Sequence, residues 1–104
     1  MDIIQRKSDI LKAIAQPTRL KIIELLRKGE RCVCEMIPLL NEEQANISKH
    51  LSLLRQAGIV DFRKEGVSTY YSVKDKDIFR IIDMAEKIVK KEMLETAKML
   101  KELK

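Results

Sequence analysis

Residues 42–58 have the sequence EEQANISKHLSLLRQAG, which is the pattern of an amphipathic helix that ends at Gly58. Ile47, Leu51 and Leu54 follow the i, i+4, i+7 spacing and therefore fall on one side of this helix. The opposite side carries small, polar or cationic residues: Ala45, Lys49, Ser52 and Gln56, flanked by Asn46 and Ser48. Such a surface fits the major groove of DNA, although an ordinary solvated helix face has the same pattern.

The segments on both sides of this helix predict a winged helix-turn-helix. A short helix is predicted from about Cys32 to Leu40, and Pro38 inside it indicates that this helix is short or bent. Residues 59–73, IVDFRKEGVSTYYSV, contain two β-branched and aromatic runs around Lys64-Glu65-Gly66. These runs predict a hairpin in which Gly66 supplies the positive φ angle of the turn. Two helices joined by a tight turn and followed by a hairpin make a winged helix-turn-helix.

The predicted hairpin, called the wing below, carries two adjacent cations. Arg63 and Lys64 are expected at its tip, where a wing lies along the sugar-phosphate backbone of DNA. Contacts of this kind position a protein on DNA without reading its sequence. Tyr70 and Tyr71 point to opposite faces of their strand, so one of them is expected in the core.

Amphipathic helices are predicted at both ends of the chain. The first covers residues 3–15 and stops at Gln16-Pro17, which places Pro17 at the first position of a second helix that ends near Gly29. The last runs from about Asp75 to the end of the chain. Its apolar residues recur at helical spacing: Ile78, Phe79, Ile82, Ala85, Ile88, Val89, Met93 and Leu100.

The apolar stripe of the last helix is longer than a domain of 104 residues covers by itself. Either this helix is solvated with a frayed end, or it packs against a second copy of the chain; uncovered apolar stripes usually mark an interface, so we favour a homodimer. The prediction is one winged helix-turn-helix domain, residues 1–104, with residues 1–15 and 75–104 as dimerisation helices. The residues expected in the interface are Ile10, Ile14, Ile82, Ile88 and Val89.

Composition and charge agree with a nucleic-acid partner. Lys and Arg outnumber Asp and Glu by 21 to 16, and the formal net charge is +5. A basic domain of this size suggests a polyanionic partner, although many basic proteins bind none. No apolar run approaches the roughly 20 residues of a membrane-spanning helix, and the chain does not start with a secretion signal. We therefore expect a cytoplasmic protein without a membrane partner.

Catalysis is not expected. The chain has no glycine-rich phosphate loop and no H-E-x-x-H motif, and its single histidine, His50, lies in the predicted DNA-reading helix. A nucleophilic cysteine has no second histidine as a base, so no set of catalytic roles can be assigned.

Four segments occur along the chain in a specific order: QPTRLKIIELL, ERCVCEM, ISKHLSLLRQAGIV and the hairpin. Together they resemble the ArsR/SmtB family of metal-responsive repressors, and the resemblance covers nearly the whole chain. It implies a mainly α (α+β) fold: a dimeric winged helix that binds a double-stranded DNA operator and leaves it on sensing an inducer. The base contacts of the family fall here on Gln44, Asn46, Ser48 and Lys49. His50 matches a motif histidine, but its place beside the core face indicates a packed or phosphate-touching residue rather than a metal ligand.

The chain departs from the family pattern at three places. Ile37 stands where arsenic-sensing members have a third cysteine, and the last helix has no histidine for the zinc site of other members. The carboxylates that remain there, Asp75, Asp77 and Asp83, are poor zinc ligands by themselves. Glu43 stands where a serine commonly caps the recognition helix, which leaves Asn41 as the alternative cap.

Cys32 and Cys34 are the candidate inducer site. They do not make a disulfide framework, and this fits a reducing cytosol. Residues two apart on a regular helix point about 200° from each other, so both thiols reach one ion only if Cys32 lies before the first turn. A thiol at a helix N-terminus ionises more readily, and two thiolates suit As(III), Sb(III), cadmium or copper(I). A small thiol, solvent or the partner chain must then complete the shell.

The predicted function is that of a homodimeric, sequence-specific transcriptional repressor, released from its operator when a soft metal or metalloid binds Cys32 and Cys34. No cofactor is required for DNA binding. Oxidation of the cysteine pair is an alternative trigger, and the absence of any metal trigger is another, with both cysteines as core residues. A winged helix that binds only other proteins is a further alternative, against which the basic wing argues.

Overall fold

The computed structural model describes residues 2–103, so positions 1 and 104 of the predicted ranges lie outside it. Within this range the chain forms five helices and one three-stranded antiparallel sheet. In chain order the elements are α1 (Ile3–Ile14), α2 (Pro17–Leu25), β1 (Arg31–Cys32), α3 (Val33–Leu40), α4 (Gln44–Gln56), β2 (Val60–Glu65), β3 (Ser68–Val73) and α5 (Asp77–Glu102). The prediction of four helices, a hairpin and a last long helix is confirmed.

The core lies between α2, α3 and α4, and the hairpin closes one side of it. Ile47, Leu51 and Leu54 of α4 are 0% exposed, as their spacing predicts. The other fully buried side chains come from α2, α3 and the start of the hairpin: Ile22, Ile23, Met36, Ile59 and Val60. The last helix, α5, contributes Ile78 and Phe79 near its start, and most of its later residues are exposed.

Proline and glycine residues mark the boundaries that the sequence predicts. Pro17 occupies the first turn of α2, and the side chain of Gln16 caps that helix by accepting the backbone N–H of Arg19 at 2.9 Å. In the wing, Gly66 has a φ angle of 61°. This left-handed conformation strains most other residues, so Gly66 allows the tight turn that joins β2 to β3.

The turn between α3 and α4 differs from the expected capping pattern. Asn41 does not cap α4; it is the C-cap of α3, with φ 51° and ψ 47°, and its backbone N–H donates to the carbonyl of Ile37. Glu43 is the N-cap of α4, and its side chain makes no capping hydrogen bond. The chain needs a left-handed residue to leave α3, and asparagine tolerates this conformation better than most residues do.

The sheet contains one strand more than the predicted two-stranded hairpin. The two residues of β1 pair with β3, Arg31 with Tyr71 and Cys32 with Tyr70. A strand of two residues is too short to show an alternating pattern, so sequence periodicity does not reveal it. This strand ties the start of α3 to the wing.

The tip of the wing is also placed differently from the expectation. Pairing of Glu65 with Ser68 leaves Gly66 and Val67 as the turn. Arg63 and Lys64 therefore lie within β2, opposite Tyr70 and Thr69, and not at the tip. The expectation was wrong because the turn is formed one to two residues later than the centre of Lys64-Glu65-Gly66.

Candidate nucleic-acid interface and cysteine site

The exposed face of α4 carries the predicted base-reading side chains. Gln44, Ser48 and Lys49 are exposed, and so are the other outward residues of the helix, Ala45, Ser52 and Gln56. On the buried side of α4, Ile47, Leu51 and Leu54 pack in the core. The opposite surface is therefore accessible to a DNA groove. A small, polar, partly cationic helix face of this kind is suited to base edges.

Asn46 is the member of this set that already has a partner. Its side chain is half-buried, and its amide nitrogen donates to Glu42 Oε2 at 2.8 Å. An adenine contact by Asn46 therefore requires that this hydrogen bond be exchanged for one to the base. Glu42 also places a carboxylate at the edge of the surface, where it repels phosphates.

Arg63 and Lys64 of the wing differ in their environments. Arg63 forms ion pairs with Glu30, on the segment before β1, and with Glu65, and its guanidinium lies 4.7 Å from the ring centroid of Tyr70. Hydrogen bonds to Glu30 and then to Glu65 raise the pKa of Arg63, and the bond to Arg63 lowers the pKa of Glu30. Lys64 is exposed and has no ion pair within residues 2–103. Lys64 is thus the wing cation that is available to a phosphate.

A third cation, Arg55, lies between α4 and the wing. The guanidinium of Arg55 lies 4.0 Å from the ring centroid of Phe62, whose ring is in turn 5.8 Å from that of Tyr71. Tyr71 packs against the core, as expected for one tyrosine of the pair, while Tyr70 lies under Arg63. The stack of Arg55 on Phe62 connects the end of the recognition helix to the wing. Helical periodicity does not predict this stack, although the aromatic residues Phe62 and Tyr71 on the two predicted strands were a signal for it.

His50 is packed, as its position on the helix predicts. It is 7% exposed, and its Nδ1 has no hydrogen-bond partner within the described residues. Burial is the main cause that lowers the pKa of His50, and the charges of Arg19 and Lys49 act in the same direction against the weaker effect of Glu42. The imidazole is therefore neutral at neutral pH and does not add a positive charge to the DNA-facing surface.

The two cysteines lie where α3 begins. Cys32 is the N-cap, in an extended conformation, so it lies before the first turn as a shared site requires. Its Sγ accepts the backbone N–H of Cys34 at 3.1 Å, and its own N–H donates to Glu35 Oε1 at 3.2 Å. Cys32 is 3% exposed, whereas Cys34 is exposed. The description of both as core residues thus applies only to Cys32.

Cys32 and Cys34 are joined by a disulfide, with their Cα atoms 5.1 Å apart. This differs from the expectation of two reduced thiols. Because Cys32 lies outside the helix, its side chain turns back toward the first turn, and this allows the bond between neighbours two residues apart. Among residues 2–103, no group of three or more His, Cys, Asp or Glu side chains is arranged to hold a metal ion. A metal at the reduced pair would need further ligands.

The carboxylates near α5 are engaged in contacts of the fold. Asp83 forms an ion pair with Arg27, at 2.7 Å, and this contact ties α2 to α5. Asp77 lies 3.3 Å from Arg80, and Asp75 Oδ1 accepts the backbone N–H of Asp77 at the start of the helix.

A cleft of about 360 Å³, called the cysteine cleft below, connects the cysteine pair with two of the predicted DNA-reading residues, Gln44 and Ser48. One wall is the start of α3 with Cys34 and Ile37, a second is the first turns of α4 with Gln44 and Ser48, and the third is the wing, including Thr69. The pairing of β1 with β3 brings these three elements together. The sequence predicts the cysteines and the DNA-reading residues as separate sites, because a strand as short as β1 leaves no periodic pattern.

An apolar groove of about 510 Å³ lies between α1 and α5. Its lining residues are almost all aliphatic: Leu11, Ile14, Ala15, Leu20, Ile81, Ile82, Ala85 and Val89, with Glu86 at the edge. Further along α5, Ile88, Met93 and Leu100 are more than half exposed. Of the predicted interface residues, Ile14 is buried within the protomer, and Ile88 and Val89 are exposed.

The arrangement is that of a DNA-binding regulator, and known proteins agree with it. Residues 16–61 match the family described as bacterial regulatory protein, arsR family. An HTH-type transcriptional regulator of Methanocaldococcus jannaschii is 41% identical over 87 residues, which are 80% of this chain and 98% of that protein. The chain belongs to the arsR family. The resemblance that the sequence motifs indicate is confirmed, and the protein is a winged-helix transcriptional regulator and not an enzyme.

Two further arsR-family proteins are similar to this chain. The arsenical resistance operon repressor of Escherichia coli is 43% identical over 63 residues, which are 60% of this chain and 54% of that protein. The homodimeric winged helix-turn-helix DNA-binding domain of a possible ArsR-family regulator from Mycobacterium bovis superposes with a TM-score of 0.76 at 30% identity, covering 90% of this chain and 86% of that one. Within residues 2–103, no helix is both long and apolar enough to span a membrane.

Proposed function

We propose that this arsR-family protein is a homodimeric transcriptional repressor that releases its operator when a thiol-binding metal or metalloid occupies Cys32 and Cys34. The observation that carries the proposal is the cysteine cleft, in which the pair borders the first turns of the recognition helix α4. A change at the pair therefore acts directly beside the residues that read DNA. A regulator of this kind acts in the cytoplasm, where its operator is.

DNA recognition is assigned to α4 and the wing. Gln44, Ser48 and Lys49 contact base edges or phosphates from the exposed face, and Asn46 joins them after it leaves Glu42. Lys64 contacts a phosphate, and Arg63 does so only by exchanging its carboxylate partners. The α4 helices of the two protomers, about one helical turn of DNA apart, read a near-palindromic site.

The second copy is assigned to the groove between α1 and α5. The exposed aliphatic residues there form a continuous surface, larger than isolated apolar side chains on a monomer normally make. Isologous pairing of residues 1–15 and 75–104 covers this surface on both protomers at once. The single domain of residues 1–104 thus combines one DNA-binding surface with the helices for dimerisation.

The inducer is assigned to the reduced pair. The disulfide must first be reduced, after which the extended backbone at Cys32 allows both sulfur atoms to face one soft ion such as As(III), Sb(III), cadmium or copper(I). Binding of the ion pulls the first turn of α3 toward it, and α3 packs against α4 and β3. A shift of α3 then changes the distance between the two recognition helices of the dimer. Because Ile37 supplies no third thiolate, a small thiol, solvent or the partner must complete the shell.

Oxidation of the pair is the second candidate trigger, and the disulfide between Cys32 and Cys34 supports it. In that case the reduced protein binds the operator and the oxidised protein does not. The two triggers are separated by the redox state in which release occurs.

The test is a titration of the protein–operator complex in which fluorescence anisotropy measures release of the DNA. The reduced dimer is bound to its own upstream DNA, and arsenite, antimonite, cadmium, zinc, copper(I) and an oxidant are added separately. We expect release by one of the soft ions or by the oxidant. The double variant Cys32→Ser, Cys34→Ser should bind with parental affinity and stay bound. If the same ligand releases this variant as readily as the parent, the signal does not enter at the cysteines.

A further inference from the structure

The two sulfur atoms of the cysteine pair differ in solvent accessibility and in hydrogen bonding. Cys34 is exposed on the wall of the cysteine cleft, whereas Cys32 is buried, with 3% of its surface accessible. Cys32 Sγ also accepts the backbone N–H of Cys34 at the start of α3. One sulfur is therefore open to an external reagent, and the other is held at a helix N-terminus, where negative charge is stabilised.

We propose that Cys34 is a site of reversible modification by a low-molecular-weight thiol, and that the attached group fills the cysteine cleft and prevents DNA from reaching α4. The inference rests on the proposed DNA-binding function. It differs from the metal trigger because the block is steric: a group on Cys34 occupies the space beside Gln44 and Ser48 without any displacement of α3.

The chemical step is thiol–disulfide exchange. A thiolate of the small thiol attacks Sγ of Cys34, a new sulfur–sulfur bond forms between them, and the bond between Cys34 and Cys32 breaks. Its electron pair leaves with Sγ of Cys32, which becomes a thiolate. The step is reversible, because the Cys32 thiolate can attack Sγ of Cys34 and expel the small thiol. No external oxidant is needed beyond the disulfide that the chain already contains.

The structure directs the attack to Cys34. Exchange requires the incoming sulfur to approach the attacked sulfur, and only Cys34 is accessible. The departing thiolate on Cys32 keeps the N–H of Cys34 as a hydrogen-bond donor. Cys32 also borders the cysteine cleft, but only 3% of its surface is accessible, so attack at its Sγ is disfavoured relative to attack at Cys34.

The size and position of the cysteine cleft fit an attached small molecule. Its volume of about 360 Å³ lies within the range of roughly 300–1,000 Å³ found for small-molecule sites. Ser48 and Gln44 form one of its three walls and the wing forms another, so the attached group stands between the two parts that are assigned to DNA contact. The neutral polar side chains of Gln44, Ser48 and Thr69 supply hydrogen-bonding partners for the polar groups of a peptide-like thiol.

The test uses single-cysteine variants and glutathione as the probe thiol. In Cys32→Ser, the remaining Cys34 is treated with glutathione disulfide to give a mixed disulfide that no neighbouring thiol can expel. Serine is a preferred N-cap residue, so this change keeps the cap of α3. Cys34→Ser is the matched control, in which the buried Cys32 should stay unmodified in the folded protein and react after denaturation. Mass spectrometry of the intact chain measures both.

Operator binding is then compared for Cys32→Ser in three forms: unmodified, methylthiolated and glutathionylated. We expect the glutathionylated form to lose at least about tenfold in affinity, as the loss of one good base contact already does. The methylthio group is small, so that form should remain close to the unmodified protein. Equal melting temperatures of the three forms show that the loss does not come from unfolding.

Two results would overturn the inference alone: equal affinity of the glutathionylated and unmodified forms, or equal loss from the methylthio and glutathionyl groups. Modification of Cys32 at the rate of Cys34 would overturn the assignment of the reactive sulfur. If the unmodified variant and the parent bind no upstream DNA, the proposed function fails and the steric block fails with it. Parental binding by the unmodified variant therefore distinguishes the two failures.

Discussion

The substitution Lys64→Gln removes the wing cation that has no ion pair within the described residues, and Arg63→Gln removes the one that Glu30 and Glu65 already neutralise. A phosphate contact releases condensed counterions, and each contact contributes about 0.9 to the slope of log K against log salt concentration. A dimer has two wings, so Lys64→Gln should lower the magnitude of this slope by about 1.8. For Arg63→Gln we expect less than half of that change, since its guanidinium must give up two carboxylates before it meets a phosphate.

The assay is operator binding by fluorescence anisotropy between about 50 and 200 mM salt, the range over which such slopes are measured. Lys21→Gln is the matched control, because it removes the same charge from an exposed position on α2, outside the surfaces assigned to DNA binding and dimerisation. It should leave the slope within error of the parent. Arg63→Gln should instead lower the melting temperature slightly, because it removes the contacts that join the wing to Glu30.

Equal slopes for Lys64→Gln and the parent would show that Lys64 does not contact a phosphate. A larger change for Arg63→Gln than for Lys64→Gln would show that Arg63 exchanges its carboxylate partners for DNA without difficulty. Either result would refute the inference that ion pairing within the protein decides which wing cation serves the operator.

Three further predictions concern the recognition helix, the assembly and the core. The double variant Asn46→Ala, Lys49→Ala should bind its operator at least about tenfold more weakly, with a free energy of unfolding within about 1 kcal/mol of the parent by urea denaturation. Ile88→Glu should give a folded monomer by light scattering and circular dichroism, because an unpaired carboxylate in an apolar interface costs several kcal/mol; a folded dimer would contradict the α5 interface. Because the pKa of His50 is lowered, the unfolded chain binds its proton first, so the free energy of unfolding should fall as pH drops below about 6.5. His50→Gln should flatten that dependence, and an unchanged pH profile would exclude His50 as its source.

The helices could be predicted because each follows a simple periodic pattern with clear ends. The spacing of Ile47, Leu51 and Leu54 determines which side of α4 is buried, and the opposite side follows from helix geometry alone. Pro17 and Gly66 lie at the helix start and hairpin turn where their backbone preferences place them. These features depend on neighbours within a few residues of each other.

The features that could not be predicted depend on register or on competing local signals. Asn41 carries a signal for the end of one helix and for the start of the next, and only the length of the connection decides between them. The position of Arg63 follows from which two residues form the turn, and a shift of one or two residues moves a cation from the tip into the strand. The ion pair of Arg63 with Glu30 joins residues 33 positions apart, and no local pattern reports such a contact.

The two residues of β1 decide how the cysteine pair and the proposed DNA-binding surface are related. Pairing of Cys32 with Tyr70 holds the start of α3 against the wing, and α3 also packs on α4. Without this pairing, the cysteines would still approach α4 through α3, but the start of α3 would not be joined to the wing. With it, the cysteine cleft shares Gln44 and Ser48 with the reading surface. Under the proposed function, a ligand on the cysteines would change DNA binding at short range, either by moving α3 or by filling the cleft. Glutathionylated Cys32→Ser distinguishes these two mechanisms, because its adduct fills the cleft while only one sulfur position is occupied.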